Sequence, residues 1–334
     1  MIVLARYEKG ALNAGPKAKT DIEKICKKEF DAKIKTFSDY NTDGKIVHTI
    51  KKILSKIYPF IVLKRKELAI VQIPYSDFSF TVAKPKTKIA LIHDINGLRY
   101  DDEKKLKKEI KCLSKYQYII AHNEAMKEYL ISKGIQKDKI YCLNLFDYLC
   151  EGEAIKKDKF DKKNIRIGYA GNLSEKKCPF IYQIDKNKIN FSFVLYGVGI
   201  SKDINNKMLY AGSYQPDDLP NNMNVDLGLV WDGNYNESDE NKDFKKYTKY
   251  NNPHKLSCYL AAGIPVIVWE KAATAEFVKK ENIGYTINNI YDINKLDFSD
   301  YKEKENNVKK IFKKIRKGYY TKKVIEEVLS NIDK

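Results

Sequence analysis

Short apolar runs alternate with amphipathic stretches along the whole chain. The first run is Ile2–Ala5, and the stretch that follows Thr20 places Ile22, Ile25 and Phe30 on one helical face. Thr20 and Glu23 have the spacing of a capping box, which predicts that this helix begins at Thr20. Because strand-like and helix-like segments keep alternating, the pattern predicts parallel sheets of the doubly wound α/β type.

The same pattern predicts six strands in each half of the chain. They lie at Ile2–Ala5, Lys33–Phe37, Leu68–Ile73, Lys88–His93, Tyr118–Ala121, Ile140–Leu143, Ile165–Tyr169, Phe191–Tyr196, Lys207–Ala211, Asp226–Trp231, Pro265–Trp269 and Tyr285–Ile287. Further helices are predicted at Ile46–Ile57, Asp101–Tyr116, Glu124–Ser132, Pro253–Ala262, Ala273–Lys280, Tyr301–Arg316 and Thr321–Ile332.

A polar, lysine-rich stretch, Glu151–Asn164, separates the two halves and is predicted to be a linker between two Rossmann-like domains. Two such domains would face each other across a cleft, with ligands at the carboxyl ends of the strands. A second stretch, Asp232–Asn251, has almost no apolar periodicity and carries Tyr235, Tyr247 and Tyr250. It is predicted to be a long loop, either a lid that grips a sugar or a plain insertion.

Composition indicates a folded cytoplasmic protein. Of the 334 residues 43% are hydrophobic and 32% charged, which excludes a disordered chain. The longest apolar stretch, Tyr259–Trp269, contains Gly263 and Pro265 and is too short for a membrane span. Arg6 and Glu8 interrupt any signal peptide, and the six cysteines include no C-x-x-C pair.

The charge balance favours an anionic partner. Lysine and arginine total 62 against 44 acidic residues, a formal net charge of +18. Such an excess attracts nucleotide phosphates, nucleic acid or an anionic membrane surface. Nucleic-acid modules usually carry arginine-rich stripes with aromatic residues between them, and this chain has neither those stripes nor a known motif. Nucleic acid is therefore not the expected partner.

Several families of phosphate and metal enzymes are excluded by their missing motifs. The chain has no G-x-x-x-x-G-K-[ST], no H-E-x-x-H, no G-x-S-x-G and no D-x-D. Gly197 and Gly199 open a G-x-G-x-x-G pattern, but Lys202 stands where its third glycine belongs. We interpret this pair as a turn that ends a strand, and we expect no metal or cofactor.

The strongest local signal is the segment Asn252–Ile267. Asn252 suits the N-cap of a helix and Pro253 its first position, while Lys255 lies in the first turn. A helix N-terminus already carries partial positive charge, so a lysine there makes sense beside a bound anion. The segment predicts a phosphate site, with a plain helix carrying a surface lysine as the alternative.

From this segment the resemblance to a known family becomes specific. The chain resembles bacterial GT-B glycosyltransferases, in particular the β-1,6-galactofuranosyltransferases and the third-step glucosyltransferase of serine-rich adhesin glycosylation. The matching segments are Asp226–Trp231, the Lys255 helix, Gly263–Val268, Ile92–Asp94, Tyr214–Asp217 and Arg316–Lys323. The resemblance implies an acceptor domain over 1–150 completed by a C-terminal helix over 317–334, and a UDP-sugar donor domain over 151–316. It also implies that no metal is needed.

The resemblance also implies roles for single residues. Lys255 would bind the donor diphosphate, with Asn252 and His254 beside it, and Tyr214 would contact the nucleotide. After Asn172 the adhesin enzymes carry a donor-site arginine, for which this chain offers Lys176 or Lys177. A lysine is a point charge rather than a fork, so the contact to the diphosphate must differ.

Near the N-terminus, the loop Asn13–Lys17 resembles the galactofuranosyltransferase version. Gly15 leaves the amides of this loop accessible, and with Lys17 they would approach the donor phosphate or the acceptor.

Sugar transfer with inversion needs a base that takes a proton from the acceptor hydroxyl. His93 and Asp94 follow a strand of the first half, where such a base belongs. The alternative is that Asp94 caps the next turn and His93 is packed in the interior.

Three functions remain in competition at this point. The first is a cytoplasmic transferase that moves a hexose, galactofuranose or glucose, from a UDP-sugar to a saccharide acceptor of a surface polysaccharide or glycoprotein. A lipid-linked acceptor would explain the lysine excess through peripheral contact with an anionic membrane. The second is a non-catalytic glycosyltransferase-like subunit, against which Lys255 and Tyr214 count. The third is a basic nucleic-acid-binding protein. The sequence leaves open whether copies of the chain form a homo-oligomer.

Overall fold

A computed structural model describes residues 1–6, 15–37, 53–54, 61, 67–74, 87–155, 159–201, 208–235 and 244–332. The strands are β1 (Ile2–Arg6), β2 (Lys33–Phe37), β3 (Leu68–Ile73), β4 (Thr87–Ile92), β5 (Tyr118–Ala121), β6 (Ile140–Cys142), β7 (Arg166–Asn172), β8 (Ser192–Val198), β9 (Met208–Tyr210), β10 (Leu227–Val230), β11 (Val266–Trp269) and β12 (Gly284–Ile287). The α-helices are α1 (Gly15–Phe30), α2 (Asn96–Arg99), α3 (Glu103–Leu113), α4 (Glu124–Ser132), α5 (Phe180–Gln183), α6 (Phe244–Thr248), α7 (His254–Ala261), α8 (Thr274–Lys280), α9 (Tyr301–Ile315) and α10 (Tyr319–Ile332).

The chain divides into two compact units. The first contains β1, Ala18–Leu145 and the C-terminal residues from Tyr320 onward. The second contains Phe146–Tyr319, and Lys17 at the start of α1 groups with it. Within the described residues, no helix is both long enough and apolar enough to cross a bilayer.

In the first unit the described strands form one parallel sheet in the order β2-β1-β3-β4-β5-β6. The central strands β3 and β4 are buried over most of their length, which explains why they are almost entirely apolar. Helix α10 belongs to this unit: the Tyr118 hydroxyl donates to the Asn331 carbonyl at 3.2 Å, and Lys322 pairs with Glu29 at 2.7 Å.

Helix α1 begins at Gly15 rather than at Thr20, so the predicted capping box is wrong. Pro16 occupies the second helical position, where its missing N–H removes no hydrogen bond, and the helix therefore starts earlier. Glu23 lies inside the helix, and its carboxylate accepts a hydrogen bond from the Gln72 amide of β3 at 3.4 Å. Most of the predicted helix Ile46–Ile57 lies outside the described residues.

In the second unit the described strands form a parallel sheet in the order β12-β11-β10-β7-β8-β9. Numbered from β7, this is the order 3-2-1-4-5-6 of a doubly wound sheet. The order reverses between β7 and β10, which are neighbours in the sheet although β8 and β9 lie between them in sequence. Ligands bind at such a point, beyond the carboxyl ends of the two strands.

Tyr259 fixes helix α7 over this point of the sheet. Its ring packs on Gly228 of β10, where an added Cβ would lie 2.3 Å from the ring. Its hydroxyl accepts from the Ala170 N–H of β7 at 2.8 Å and donates to the Leu229 carbonyl of β10 at 3.1 Å. Since one side chain joins both strands, the start of α7 has a defined place beside their carboxyl ends.

Arg316, in the turn after α9, holds a segment within the second unit. Its guanidinium donates to the carbonyls of Glu151 and Gly152, each at 3.0 Å, and to Asn221 Oδ1 at 3.0 Å. The first residues of the predicted linker Glu151–Asn164 are therefore held in place through their backbone carbonyls, which accept hydrogen bonds from the Arg316 side chain.

Candidate active site

Glycines shape the carboxyl ends of β7 and β8. Gly171 and Gly197 have φ angles of 144° and 140°, which side-chain-bearing residues rarely adopt. A Cβ on Gly197 would lie 1.8 Å from the Gly171 carbonyl oxygen, so only glycine allows this approach of the two strands. Strand β8 ends at Val198 and Gly199 follows with a φ of 84°, in keeping with the turn predicted there.

Lys255 lies where the strand order reverses. Its ammonium donates to the Tyr169 hydroxyl at 2.9 Å, to the Trp231 carbonyl at 2.8 Å and to Asp232 Oδ1 at 2.9 Å. Tyr169 belongs to β7, and Trp231 and Asp232 follow β10. The side chain is 17% exposed, so a largely buried positive charge lies at the carboxyl ends of both strands.

The electrostatics of this cluster are those of a partly buried charge. The Lys255 ammonium also lies 4.3 Å from the centre of the Tyr169 ring, a cation–π contact. Burial, with a contribution from the Asp232 carboxylate, raises the pKa of the Tyr169 phenol well above its usual value. Tyr169 therefore stays neutral, and Asp232 is the only carboxylate among these three acceptors.

Helix α7 begins one residue later than predicted. Pro253 has an extended ψ of 131° and is the N-cap, so Asn252 lies before the helix, where its side chain is buried. Lys255 remains in the first turn, beside N–H groups that have no partner within the helix. This keeps the positive end of the helix dipole next to the Lys255 ammonium.

His254 turns into the interior of the second unit. Its ring stacks on Tyr148 with centroids 4.8 Å apart and meets Phe146 edge-on at 6.2 Å. Burial, assisted by the positive charge of Lys17, lowers the pKa of His254 to about 3. His254 is therefore neutral at physiological pH, and the charge at the start of α7 comes from Lys255.

The other predicted donor-site residues surround the same strand ends. Asn172 is the last residue of β7, and its Oδ1 accepts from the Ser174 N–H at 2.9 Å. Lys176 in the following turn is exposed, and Lys177 is half-buried. Lys176 is thus the more accessible of the two cations considered for the missing arginine.

Tyr214 lies beyond the end of β8 in a half-buried position. Its ring centre is 6.3 Å from that of Tyr196, with the two planes inclined by 49°. The Gly197 N–H donates to the Gly212 carbonyl at 2.9 Å, which ties the Tyr214 loop to the strand. An aromatic surface consequently flanks the glycine-lined strand ends.

Lys17 is engaged with groups of the second unit. Its ammonium contacts the Leu149 carbonyl and the Asp217 carboxylate, each at 2.5 Å, and lies 4.7 Å from the centre of the Tyr148 ring. The side chain is buried. Gly15 opens helix α1, and the preceding residues of the predicted loop lie outside the described residues.

The predicted base residues follow β4 in the first unit. The His93 Nε2 lies 2.7 Å from Gln72 Oε1, and Asp94 Oδ2 pairs with the Arg99 guanidinium at 2.7 Å. Both side chains are half-buried at the carboxyl end of the sheet. Helix α2 has Ile95 as its N-cap and no side-chain cap bond.

The segment Asp232–Asn251 differs from the predicted lid where it is described. Tyr247 is buried, and Tyr235 packs edge-on against Tyr291 with centroids 5.6 Å apart. Residues 244–248 form α6, and residues 236–243 lie outside the described residues. The Tyr247 side chain is thus inside the second unit, and the half-buried Tyr235 packs against the hydrophobic core of that unit.

Sequence reasoning missed three residues of these clusters: Asp232, Tyr169 and Gln72. Asp232 directly follows a strand, which is the same signal that selected Asp94, so it was within reach of the sequence. Tyr169 and Gln72 lie inside apolar strands, and only the fold shows which polar atoms they meet. Among the described residues no three His, Cys, Asp or Glu side chains are grouped to hold a metal ion.

Comparisons with known proteins agree with this architecture. The glucosyltransferase 3-like C-terminal domain matches residues 167–328, and the corresponding N-terminal domain matches residues 1–145. The β-1,6-galactofuranosyltransferase WbbI of Escherichia coli (strain K12) is 36% identical over 272 residues, 76% of this chain and 79% of the relative. The chain belongs to the glucosyltransferase 3-like family of glycosyltransferases.

Other members and neighbours of this family extend the comparison. Glucosyltransferase 3 of Streptococcus gordonii is 24% identical over 254 residues, 73% of this chain and 71% of the relative. Anabaena HepE, solved in complex with UDP and glucose, superposes with a TM-score of 0.62 at 14% identity over 99% of this chain and 100% of its own. The shared fold is GT-B, as expected for two doubly wound units.

Proposed function

We propose that this glycosyltransferase moves a hexose, galactofuranose or glucose, from a UDP-sugar to a saccharide acceptor, with inversion and without a metal ion. The curated relatives are named for galactofuranosyl and glucosyl transfer, which supports these two sugars. Since both relatives are named as enzymes, the alternative of a non-catalytic subunit has nothing in its favour.

The observation that carries the proposal is the position of Lys255. A departing UDP needs positive charge at its diphosphate, and preorganised charge is worth most in a partly dry site. The ammonium of Lys255, the first turn of α7 and the open backbone at Gly171 meet at the carboxyl ends of β7 and β10. Tyr214 lies beside the neighbouring strand and is proposed to contact the nucleotide.

Asp232 has a defined part in this proposal. Its carboxylate holds the Lys255 ammonium at 2.9 Å, which fixes the direction of a long, flexible side chain. A diphosphate that binds Lys255 would replace or repel this carboxylate, because two anions would otherwise share one cation. We propose that the Asp232 carboxylate turns away when the donor binds.

For the proton from the acceptor hydroxyl, we propose His93 as the base in preference to Asp94. The Asp94 carboxylate is engaged in an ion pair with Arg99, which stabilises its charged form. An imidazole exchanges a proton near neutral pH, the range in which such a base must work. Asp94 and Arg99 then shape the polar surroundings of the imidazole.

The direct test measures UDP release from UDP-galactofuranose and UDP-glucose with a disaccharide acceptor, in buffer with excess EDTA. We expect turnover with one donor, and Lys255→Ala should lower it by about 100-fold or more through loss of charge at the diphosphate. Lys295→Ala, which removes an exposed lysine elsewhere in the second unit, is the matched control.

The outcomes separate the parts of this proposal. UDP should raise the melting temperature of the wild type and of Lys295→Ala, and much less that of Lys255→Ala. Full turnover by a folded Lys255→Ala protein would remove Lys255 from the mechanism. Activity lost in EDTA and restored by Mg²⁺ would overturn the metal-independent reaction.

A further inference from the structure

Gln72 connects the proposed base to helix α1 through a buried chain of hydrogen bonds. The residue is 1% exposed, near the end of β3. Its Oε1 lies 2.7 Å from His93 Nε2, while its Nε2 donates to the Lys19 carbonyl at 3.3 Å and to Glu23 Oε1 at 3.4 Å. The proposed function does not account for this arrangement.

The chemistry of these atoms fixes both the amide and the imidazole. A backbone carbonyl only accepts hydrogen bonds, so the Gln72 atom that faces Lys19 must be the nitrogen. The Gln72 oxygen therefore faces His93, and because an amide oxygen also only accepts, the His93 Nε2 must carry a hydrogen. In a neutral imidazole the lone pair then resides on Nδ1.

We infer that Gln72 is a positioning residue that holds His93 in the Nε2-protonated tautomer and makes Nδ1 the atom that takes the proton. The part that concerns catalysis rests on the proposed function. The acceptor hydroxyl gives its proton to Nδ1 while its oxygen bonds to the anomeric carbon. The bond from that carbon to the diphosphate oxygen breaks, and its electron pair leaves with UDP. The Gln72 oxygen then stabilises the imidazolium through the Nε2–H.

Other titratable groups surround this chain of contacts and bear on any pH profile. Helix α1 contributes Lys19 and Glu23. Burial raises the pKa of Glu23 to about 7, although the positive charge of Lys19 acts to lower it. After β5, the buried His122 is bonded to the Ile92 carbonyl at 3.0 Å, and burial lowers its pKa to about 4.

Asp94 and Arg99, which follow β4 in the sequence, form an ion pair. Of all these groups, Glu23 has the pKa closest to that of an ordinary histidine, so it needs its own control.

The tautomer can be measured without any enzyme assay. The chain has four histidines, so ¹⁵N imidazole spectra are simple, and the signals missing from His93→Gln identify His93. We expect Nε2 protonated and Nδ1 unprotonated in the wild type at a pH where His93 is neutral. In Gln72→Met, which keeps the length of the side chain but accepts no such bond, the two tautomers should mix. An Nδ1-protonated His93 in the wild type would overturn the inference.

Kinetics test the consequence for the reaction. Gln72→Met should lower kcat by about 10- to 100-fold, less than the roughly 100- to 10,000-fold contribution of a general base itself, because the imidazole is still present; the KM for the donor should stay unchanged. Gln72→Glu places a negative charge beside Nε2, which favours the imidazolium and raises the pKa of His93. The deprotonated base then exists only at higher pH, so the acidic limb of the kcat/KM profile should move upward.

Controls separate this role from a structural one. Glu23→Gln should leave that limb in place, and a merely structural Gln72 would change stability without moving it. Normal kcat and an unmoved limb in folded Gln72 variants would overturn the inference. If the wild type transfers no sugar at all, the proposed function fails while the spectra still decide the tautomer.

Discussion

Single charges decide the chemistry proposed for the second unit. Lys255 donates to three acceptors, and two of them, the Tyr169 hydroxyl and the Trp231 carbonyl, are neutral. Asp232 is the third and brings a negative charge to the place where a diphosphate is proposed to bind. The Asp232 carboxylate therefore orients the Lys255 side chain and, at the same time, would repel the negatively charged diphosphate of the donor.

The first prediction follows from this opposition. Asp232→Asn keeps an oxygen for Lys255 but removes the charge, so UDP should bind about three- to tenfold more tightly, as expected for the loss of one charge contact of about 1 kcal/mol. Isothermal titration calorimetry at fixed ionic strength measures the Kd. Glu276→Gln, an exposed acid of α8, is the control and should leave the Kd unchanged. Weaker binding by Asp232→Asn would mean that the carboxylate is needed in the complex.

How far single residues could be predicted depends on where their partners come from in the sequence. Lys255 was found because the rules for helix termini are local, and those same rules placed it in the first turn although the cap lies one residue later. Gln72 was not found, since a glutamine within an apolar strand has no distinctive local signal. Its partners lie on α1 and after β4, far away in the sequence.

At the level of elements, short apolar runs predicted most strands, because central parallel strands are buried on both faces. Apolar positions at helical spacing predicted most helices. Helix α4 has the predicted bounds Glu124–Ser132, and the Asn123 side chain caps it by accepting from the Met126 N–H at 2.9 Å. The start of α1 was wrong because a capping-box spacing also occurs inside helices. Helix α6 was missed since its five residues are too few to show periodicity.

The second prediction concerns the packing of α7 on the sheet. Tyr259→Phe keeps the ring on Gly228 but leaves the Ala170 N–H without its acceptor, so the free energy of unfolding should fall by about 1–3 kcal/mol. Urea denaturation followed by tryptophan fluorescence reports on the second unit, which holds Trp231 and Trp269. Tyr100→Phe, an exposed tyrosine of the first unit, should change nothing. An unaltered unfolding midpoint in Tyr259→Phe would show that water replaces the lost hydroxyl.

Across the whole molecule, the net charge of +18 exceeds what one diphosphate site requires. Composition indicated an anionic partner but not its identity, because a charge count does not say where on the surface the charges lie. The structure locates part of this charge on α3, where four lysine side chains are exposed: Lys104, Lys107, Lys108 and Lys111. That helix belongs to the first unit, the proposed acceptor domain. A lipid-linked acceptor at an anionic leaflet would meet such a cationic surface.

The last prediction tests this proposed contact with an anionic membrane. The wild type should sediment with phosphatidylglycerol vesicles but not with phosphatidylcholine vesicles. It should be released as salt rises, because the screening length falls from about 10 Å at 0.1 M to about 3 Å at 1 M. Replacing the four exposed α3 lysines by glutamine should weaken binding to anionic vesicles by up to about 1000-fold, since each juxtamembrane cation contributes about 1 kcal/mol. The matched control replaces four exposed lysines of α9 in the second unit, namely Lys302, Lys309, Lys310 and Lys313. Because both variants lose the same net charge, equal loss of binding would assign the attraction to the overall field of the protein, whereas loss in the α3 variant alone would assign it to the acceptor domain.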